Sequence, residues 1–204
     1  MIALLEGLSV SRETEKALEI YLDKVTRWNP KINLVSRATV FDLRTRHLLD
    51  SAQIFSHLPP TDTHWADLGS GGGFPGVVVA ILARDPRPDL RMTLVESDRR
   101  KATFLRMIAA ELRLAVEVRA ARVEDVPPLG AAIVSARALA PLVTLLDMAK
   151  RHLSPNGTAL FLKGKSYREE IATARQTWHF DIEEVPSVTQ DAAALLKIKD
   201  IRLA

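Results

Sequence analysis

The chain has 204 residues, 47% hydrophobic and 26% charged, with a formal net charge of +3. That length suits one domain, or one domain with an extension, at roughly 100–200 residues per domain. It contains no cysteine, which excludes disulfide frameworks, thiolate metal sites, iron–sulfur clusters and cysteine nucleophiles.

The start, Met1 to Glu13, has Glu6 inside its apolar stretch and no basic region before it. It does not read as a signal peptide, and no apolar run is long enough to span a bilayer. The expected location is the cytoplasm, and nothing in the sequence demands more than a monomer. Ser11 then opens a helix over residues 11–28, with Ala17, Leu18, Tyr21, Leu22, Val25 and Trp28 at helical spacing. Asn29-Pro30 is its expected stop. Residues 40–58 predict a second amphipathic helix, ended by Pro59-Pro60.

After residue 60 the texture changes. Strands are expected at His64–Leu68, Arg91–Val95, Val116–Arg119, Ala131–Ser135 and Thr158–Leu162, with helices at Pro75–Ala83, Arg99–Leu112, Pro141–Leu153 and Tyr167–Thr177. Such alternation implies parallel strands joined by right-handed crossovers. Trp178–Val185 and Leu195–Leu203 have no helix between them and should pair antiparallel. The expected organisation is a helical cap, residues 1–60, on a doubly wound α/β body, residues 61–204.

The strongest signal is the string Asp67-Leu68-Gly69-Ser70-Gly71-Gly72-Gly73-Phe74-Pro75-Gly76. It follows a strand and opens a helix, where ligands of open α/β sheets bind. Read from Gly71 it matches GxGxxG, a dinucleotide pattern. Read from Asp67 it is DxGxGxG, the S-adenosylmethionine (SAM) pattern. Three features favour SAM. Asp67 would attract a sulfonium amino acid and repel a pyrophosphate. A helical prefix precedes the motif. The antiparallel last pair fits a Rossmann-like, class I SAM-methyltransferase sheet. Glu96, ending the second strand, offers a carboxylate for ribose hydroxyls of either cofactor.

Charge is uneven. Residues 84–122 hold ten Lys/Arg against six Asp/Glu, a bias that suits a nucleic-acid partner. Arg99, Arg100 and Lys101 open a helix against the macrodipole preference. With Lys163 and Lys165 after the fifth strand, and Arg46 and His47 on the second helix, they are candidate RNA contacts. Asp50 reads as an intrahelical partner of Arg46 or His47. Trp28 and Trp65 read as core residues.

Seven strings also recur in order: Asn33-Leu34-Val35-Ser36, Arg46-His47-Leu48-Leu49-Asp50-Ser51, Asp67 to Gly76, Val95-Glu96-Ser97, Arg122-Val123-Glu124, Ala136-Arg137-Ala138 and Lys163-Gly164. In these the chain resembles the small-subunit ribosomal RNA methyltransferase G family, also called glucose-inhibited division protein B. The resemblance implies SAM-dependent methylation of guanine N7 in 16S rRNA of the small ribosomal subunit. It implies cofactor contacts at Gly69 and Phe74, at Val123 and Glu124 around the adenine, and at Arg137 on the methionine or target side. With Asp67, Gly71, Gly73 and Glu96 from the motif itself, these make up the candidate cofactor set. The family commonly has an aromatic–Asp pair opening the fourth strand; here Leu129-Gly130 stand there.

The chemistry agrees. Pyrimidine-carbon methylation usually takes a cysteine, and exocyclic-amine methylation an Asn/Asp-Pro-Pro-aromatic loop after the fourth strand. That loop here reads Ser135-Ala136-Arg137-Ala138. Guanine N7 has an in-plane lone pair and no proton to lose, so it needs orientation rather than a base. Arg137 is the candidate for orienting the purine.

Overall fold

The computed structural model describes residues 10–36, 39–58 and 63–204. The expectations for the N-terminal leader and for the Pro59-Pro60 stop lie outside these residues. A seven-stranded sheet runs in the order β3-β2-β1-β4-β5-β7-β6. Its strands are β1 His64–Leu68, β2 Arg91–Val95, β3 Val116–Arg119, β4 Ala131–Arg137, β5 Leu153–Lys163, β6 Trp178–Pro186 and β7 Ala194–Leu203. The first five pair in parallel, and β7 runs antiparallel between β5 and β6. This is the α/β arrangement expected, including its last pair.

Both faces are covered, so the central strands carry near-continuous apolar runs. On one face α3 (Gly76–Ala83) and α4 (Arg99–Glu111) join α1 (Arg12–Ile32) and the residues that follow it. Leu18, Tyr21, Leu48 and Ile54 share that core with Val78, Ile81, Leu94 and Leu105. On the other face α5 (Leu142–His152) and α6 (Tyr167–Ala174) pack Leu145, Leu146 and Ile171 on Val134, Phe161 and Leu196.

Three expected boundaries move. First, α1 does not stop at Asn29-Pro30 but runs through Pro30 to Ile32. Pro30 lies on the exposed side, where a missing N–H faces water, while Asn29 and Ile32 continue the buried stripe. Asn33, at φ 52°, then closes the helix with its N–H on Asn29 O, and Asn29 Oδ1 accepts from Val35 N at 2.9 Å.

Second, the single helix expected over 40–58 is four short turns. They are a 3₁₀ turn at Val40–Asp42, a π turn at Leu43–Leu48, α2 at Leu49–Gln53 and a 3₁₀ turn at Ile54–His57. Leu43 and Leu48, five residues apart, are both buried. A turn bonded i→i+5 brings such a pair onto one face better than an α-helix does. Ser51 Oγ also donates to His47 O at 2.6 Å, drawing on the same carbonyls.

Third, β5 begins at Leu153 rather than Thr158 and runs through Pro155-Asn156-Gly157. The β4–β5 register shifts there. A Cβ on Gly157 would lie 2.7 Å from Leu153 Cδ2 and 3.0 Å from Ala131 O, so the close approach of β5 to β4 favours glycine there.

Candidate active site

The carboxyl ends of β1, β2, β4 and β5 converge on one cleft of about 590 Å³. One wall is backbone: Gly69 to Gly72, leading through Phe74 into α3. Gly71 has φ +56°, and a Cβ there would meet nothing nearer than Gly69 O at 3.8 Å. The chain therefore presents bare backbone to the cleft at a conformation that disfavours any other residue. Glu96 Oε2 accepts from Gly71 N at 2.8 Å, and Oε1 accepts from Asp98 N at 2.7 Å. The acid of β2 is thus locked to the loop of β1, with lone pairs left for a ligand.

The loop is held from behind. Tyr21 of α1 is fully buried and its Oη donates to Gly72 O at 2.8 Å. Burial pushes that phenol well above its ordinary pKa, so it remains a donor. Below the loop, Trp65 Nε1 donates to Ser135 Oγ at 2.9 Å, which donates to Asp67 Oδ1 at 2.6 Å. Ser70 Oγ donates to Asp67 O. Asp67 is completely buried, and burial pushes its carboxyl up to about 6 against the pull of the Ser135 hydrogen bond. Its Oδ2 has no hydrogen-bond partner. Asp67 is in contact with the loop's underside and does not line the cleft.

The opposite wall is made of side chains. Arg137 ends β4, and its Nη2 donates to His47 Nδ1. Its guanidinium lies over the Phe74 ring at 5.9 Å, with Nη1 3.8 Å from Asp50 Oδ2. Asp50 does not serve as the intrahelical partner of Arg46 or His47. Its Oδ1 accepts instead from Ser187 Oγ and Thr189 Oγ1, in the loop joining β6 to β7. Gln53 donates to Pro186 O at the end of β6 and accepts from Val188 N in that loop, which carries Gln190 and Ala193 to the cleft.

Of the sequence-derived cofactor set, Gly69, Gly71, Phe74, Glu96 and Arg137 line the cleft, as do Arg46, His47, Lys101 and Lys163 of the RNA set. The other candidates stand apart. Gly73 and Asp67 lie behind the loop. Val123 is buried in the core under α5, with its carbonyl accepting from His152 Nε2 at 3.2 Å, and Glu124 is exposed beside it. Arg99, Arg100 and Lys165 are exposed outside the cleft. Asp98 caps α4 by accepting from Arg100 N and Lys101 N, which offsets the unfavourable cations of its first turn. Lys163 is already spoken for: Nζ lies 2.6 Å from Glu170 Oε2 and donates to Ala140 O. Thr39, Asp50, Glu170 and Gln190 are additional cleft residues absent from the candidate set. A polar residue within the Arg46–Ser51 string was the available signal for Asp50; nothing local marks the other three.

The family model for rRNA small subunit methyltransferase G matches residues 14–197. The chain belongs to this family. Relatives carrying the name Ribosomal RNA small subunit methyltransferase G include one from Cereibacter sphaeroides, 51% identical over 97% of this chain and 96% of its own. Another, from Paracoccus denitrificans, is 44% identical over 97% of this chain and all of its own. Among solved structures, a SAM-dependent methyltransferase from Aquifex aeolicus superposes with a TM-score of 0.60 at 11% identity, covering 88% of this chain and 98% of that one. A Thermus thermophilus 16S rRNA N2 G1207 methyltransferase, solved with AdoMet and guanosine, superposes at 0.53 and 13% identity, over 73% of this chain and 38% of that one. These likenesses show the fold. This member of the methyltransferase G family has, among its described residues, no helix long and apolar enough to cross a membrane.

Proposed function

We propose that the chain transfers the methyl group of SAM to N7 of a guanine in 16S rRNA of the small ribosomal subunit. The observation that carries this reading is the cleft itself. In a methyltransferase G family chain, it sets a bare-backbone glycine wall and a ribose-type carboxylate opposite a partly buried arginine. A cytoplasmic monomer, with residues 1–60 as cap and 61–204 as methyltransferase body, belongs to the same reading.

The residues fit the cofactor. Gly71 leaves open space where a side chain would stand, and Glu96 retains acceptor capacity after its two amide bonds. Gly69, Gly71 and Phe74 would hold the amino-acid end and Glu96 the ribose. Asp67 acts from beneath, fixing the loop and lending negative potential through its unpartnered Oδ2. Gly73 acts only through the loop's shape. Val123 and Glu124 would border the adenine from the turn after β3. When bound, SAM supplies an electrophilic methyl on a sulfonium.

The chain's own task is then positioning, which accounts for about 7–11 kcal/mol in well-oriented reactions. Guanine N7 attacks with an existing lone pair, so no proton is removed. The cleft agrees with that requirement among its described residues. His47 Nδ1 is engaged by Arg137, Asp50 by two hydroxyls, Glu96 by two amides and Glu170 by Lys163. Each is tied to a structural partner, and the reaction asks none of them to take a proton. Arg46 and Lys101 at the cleft, with Arg99, Arg100 and Lys165 outside it, supply cations for RNA phosphates. Lys163 braces the cleft wall.

The test offers methyl-labelled SAM and purified protein to under-methylated small subunits, naked rRNA and DNA, then maps label by N7-selective cleavage. Label at one guanine of the small-subunit rRNA is the expected result. SAM binding with label on none of them overturns the substrate. NADH binding without SAM binding overturns the cofactor.

A further inference from the structure

Three carboxylates line the cleft among the described residues: Glu96, Asp50 and Glu170. Glu96 is bonded to two amides at the end of β2, and Asp50 Oδ1 accepts from two hydroxyls. Glu170 has no task in the function above. It stands on α6, where its Oε2 accepts from Leu142 N at 2.8 Å and lies 2.6 Å from Lys163 Nζ. Leu142 opens α5 and Lys163 ends β5, so the carboxylate is pinned over the β4–β5 side of the cleft. Those two partners account for Oε2. Oε1 has only Ser166 Oγ, at 3.4 Å, a long contact for a hydroxyl donor. A carboxylate has about four lone-pair sites, so Oε1 retains acceptor capacity. The side chain is 23% exposed and therefore open to a ligand.

We propose that Glu170 determines the choice of base, with Oε1 accepting from N1–H and the 2-amino group of the target guanine. The inference rests on the proposed function and deepens it. Enzymes that act on a base take it out of the stack and read its Watson–Crick edge. In guanine that edge lies across the purine from N7. With N7 toward the methyl at the glycine wall of β1, the edge points away from that wall. Glu170 stands on that far side. In the order β2-β1-β4-β5, the strand that ends at Lys163 is three places from the strand that ends near Glu96. At about 4.8 Å per strand this is on the order of 14 Å, so Glu170 does not share the ribose with Glu96. The chemistry is selective. Both guanine donors point the same way and suit one anionic acceptor. Adenine has a bare lone pair at N1, which a carboxylate repels. Lys163 and Leu142 N hold the carboxylate before substrate arrives, so little rotamer freedom is lost on binding.

A cycle between residue and base tests this. Small subunits are reconstituted with guanosine or with inosine, which lacks the 2-amino group, at the methylated position. Wild-type protein should show kcat/KM about 10–100-fold lower on inosine, the range for one hydrogen bond to a charged group. Glu170→Ala should lower kcat/KM on guanosine by a similar factor, and its inosine penalty should shrink to no more than about twofold. Glu170→Gln keeps an oxygen toward Lys163 and turns its amide N–H toward the base. Its inosine penalty should vanish or reverse, because donor would face donor. SAM affinity by calorimetry should stay within about twofold in all three proteins. A purely structural role for Glu170 would lower activity and leave the inosine penalty in place, and that result overturns the inference. Equal wild-type rates on guanosine and inosine overturn it without any variant. Weakened SAM binding with the penalty retained also overturns it, moving the carboxylate to the cofactor. A wild-type protein that binds SAM yet leaves guanosine-bearing subunits unlabelled refutes the function itself, and the inference with it.

Discussion

The two walls of the cleft are built in opposite ways. The glycine wall is main chain from one stretch of sequence, stiffened from behind by Tyr21, Asp67 and Ser135. The arginine wall is side chain, assembled from β4, the turns at 40–57 and the loop after β6. A backbone wall suits a cofactor that is the same at every turnover. A side-chain wall suits selection of one base among many. Changes in the first should damage SAM binding, and changes in the second should damage turnover.

The largest expected effect is in the glycine wall. Gly71→Asp must hold a side chain at φ +56° and sets a second carboxylate near Glu96. Each costs on the order of 1–2 kcal/mol, so SAM affinity should fall by about 10²-fold or more by calorimetry. Unchanged affinity would break the contrast between the walls.

Asp67→Asn separates stability from binding. The folded-state pKa of Asp67, about 6, lies above its ordinary value of 3.8. The native state therefore holds this proton longer than the unfolded state does. That contribution is complete below about pH 4 and is lost as pH rises to about 6, falling by up to about 3 kcal/mol at 1.4 kcal/mol per pH unit. The amide keeps an acceptor for Ser135 and has no charge to bury. Urea titrations should show this part of the pH slope gone and a variant at least as stable as wild type at pH 7. SAM affinity should fall. A retained slope would assign it to another group.

Tyr21→Phe leaves Gly72 O without its buried donor. A cost of about 1–3 kcal/mol in stability is expected, with SAM affinity reduced and kcat at saturation retained. A kcat loss instead would join the two walls into one unit. The smallest effect is Lys101→Ala, which should lower the slope of log K against log salt for RNA by about one contact. Lys163→Met, by contrast, should leave that slope unchanged and destabilise the fold, because its charge is spent on Glu170.

The same division governs what could be read from the sequence. All seven strands, the parallel direction of the first five and the antiparallel last pair were legible, because the buried parallel strands are short apolar runs separated by helical periodicity; the insertion of β7 between β5 and β6 was not. The glycine wall was legible because its chemistry is local. Asp67, Gly69, Gly71, Phe74 and Glu96 lie where strand ends must lie in a doubly wound sheet. Sequence alone was wrong where competition between burial and local propensity decided the outcome. Pro30 stays helical because its bare side faces water. Residues 40–57 break into unlike turns because Leu43 and Leu48 both need burial. The cleft's second wall was settled only in three dimensions. His47 and Asp50 lie about 90 residues from Arg137 in sequence, and Ser187 lies 137 from Asp50. No spacing rule connects such positions. A lone histidine, aspartate and arginine each have several acceptable partners, and only packing of the turns at 40–57 against the end of β4 chooses among them.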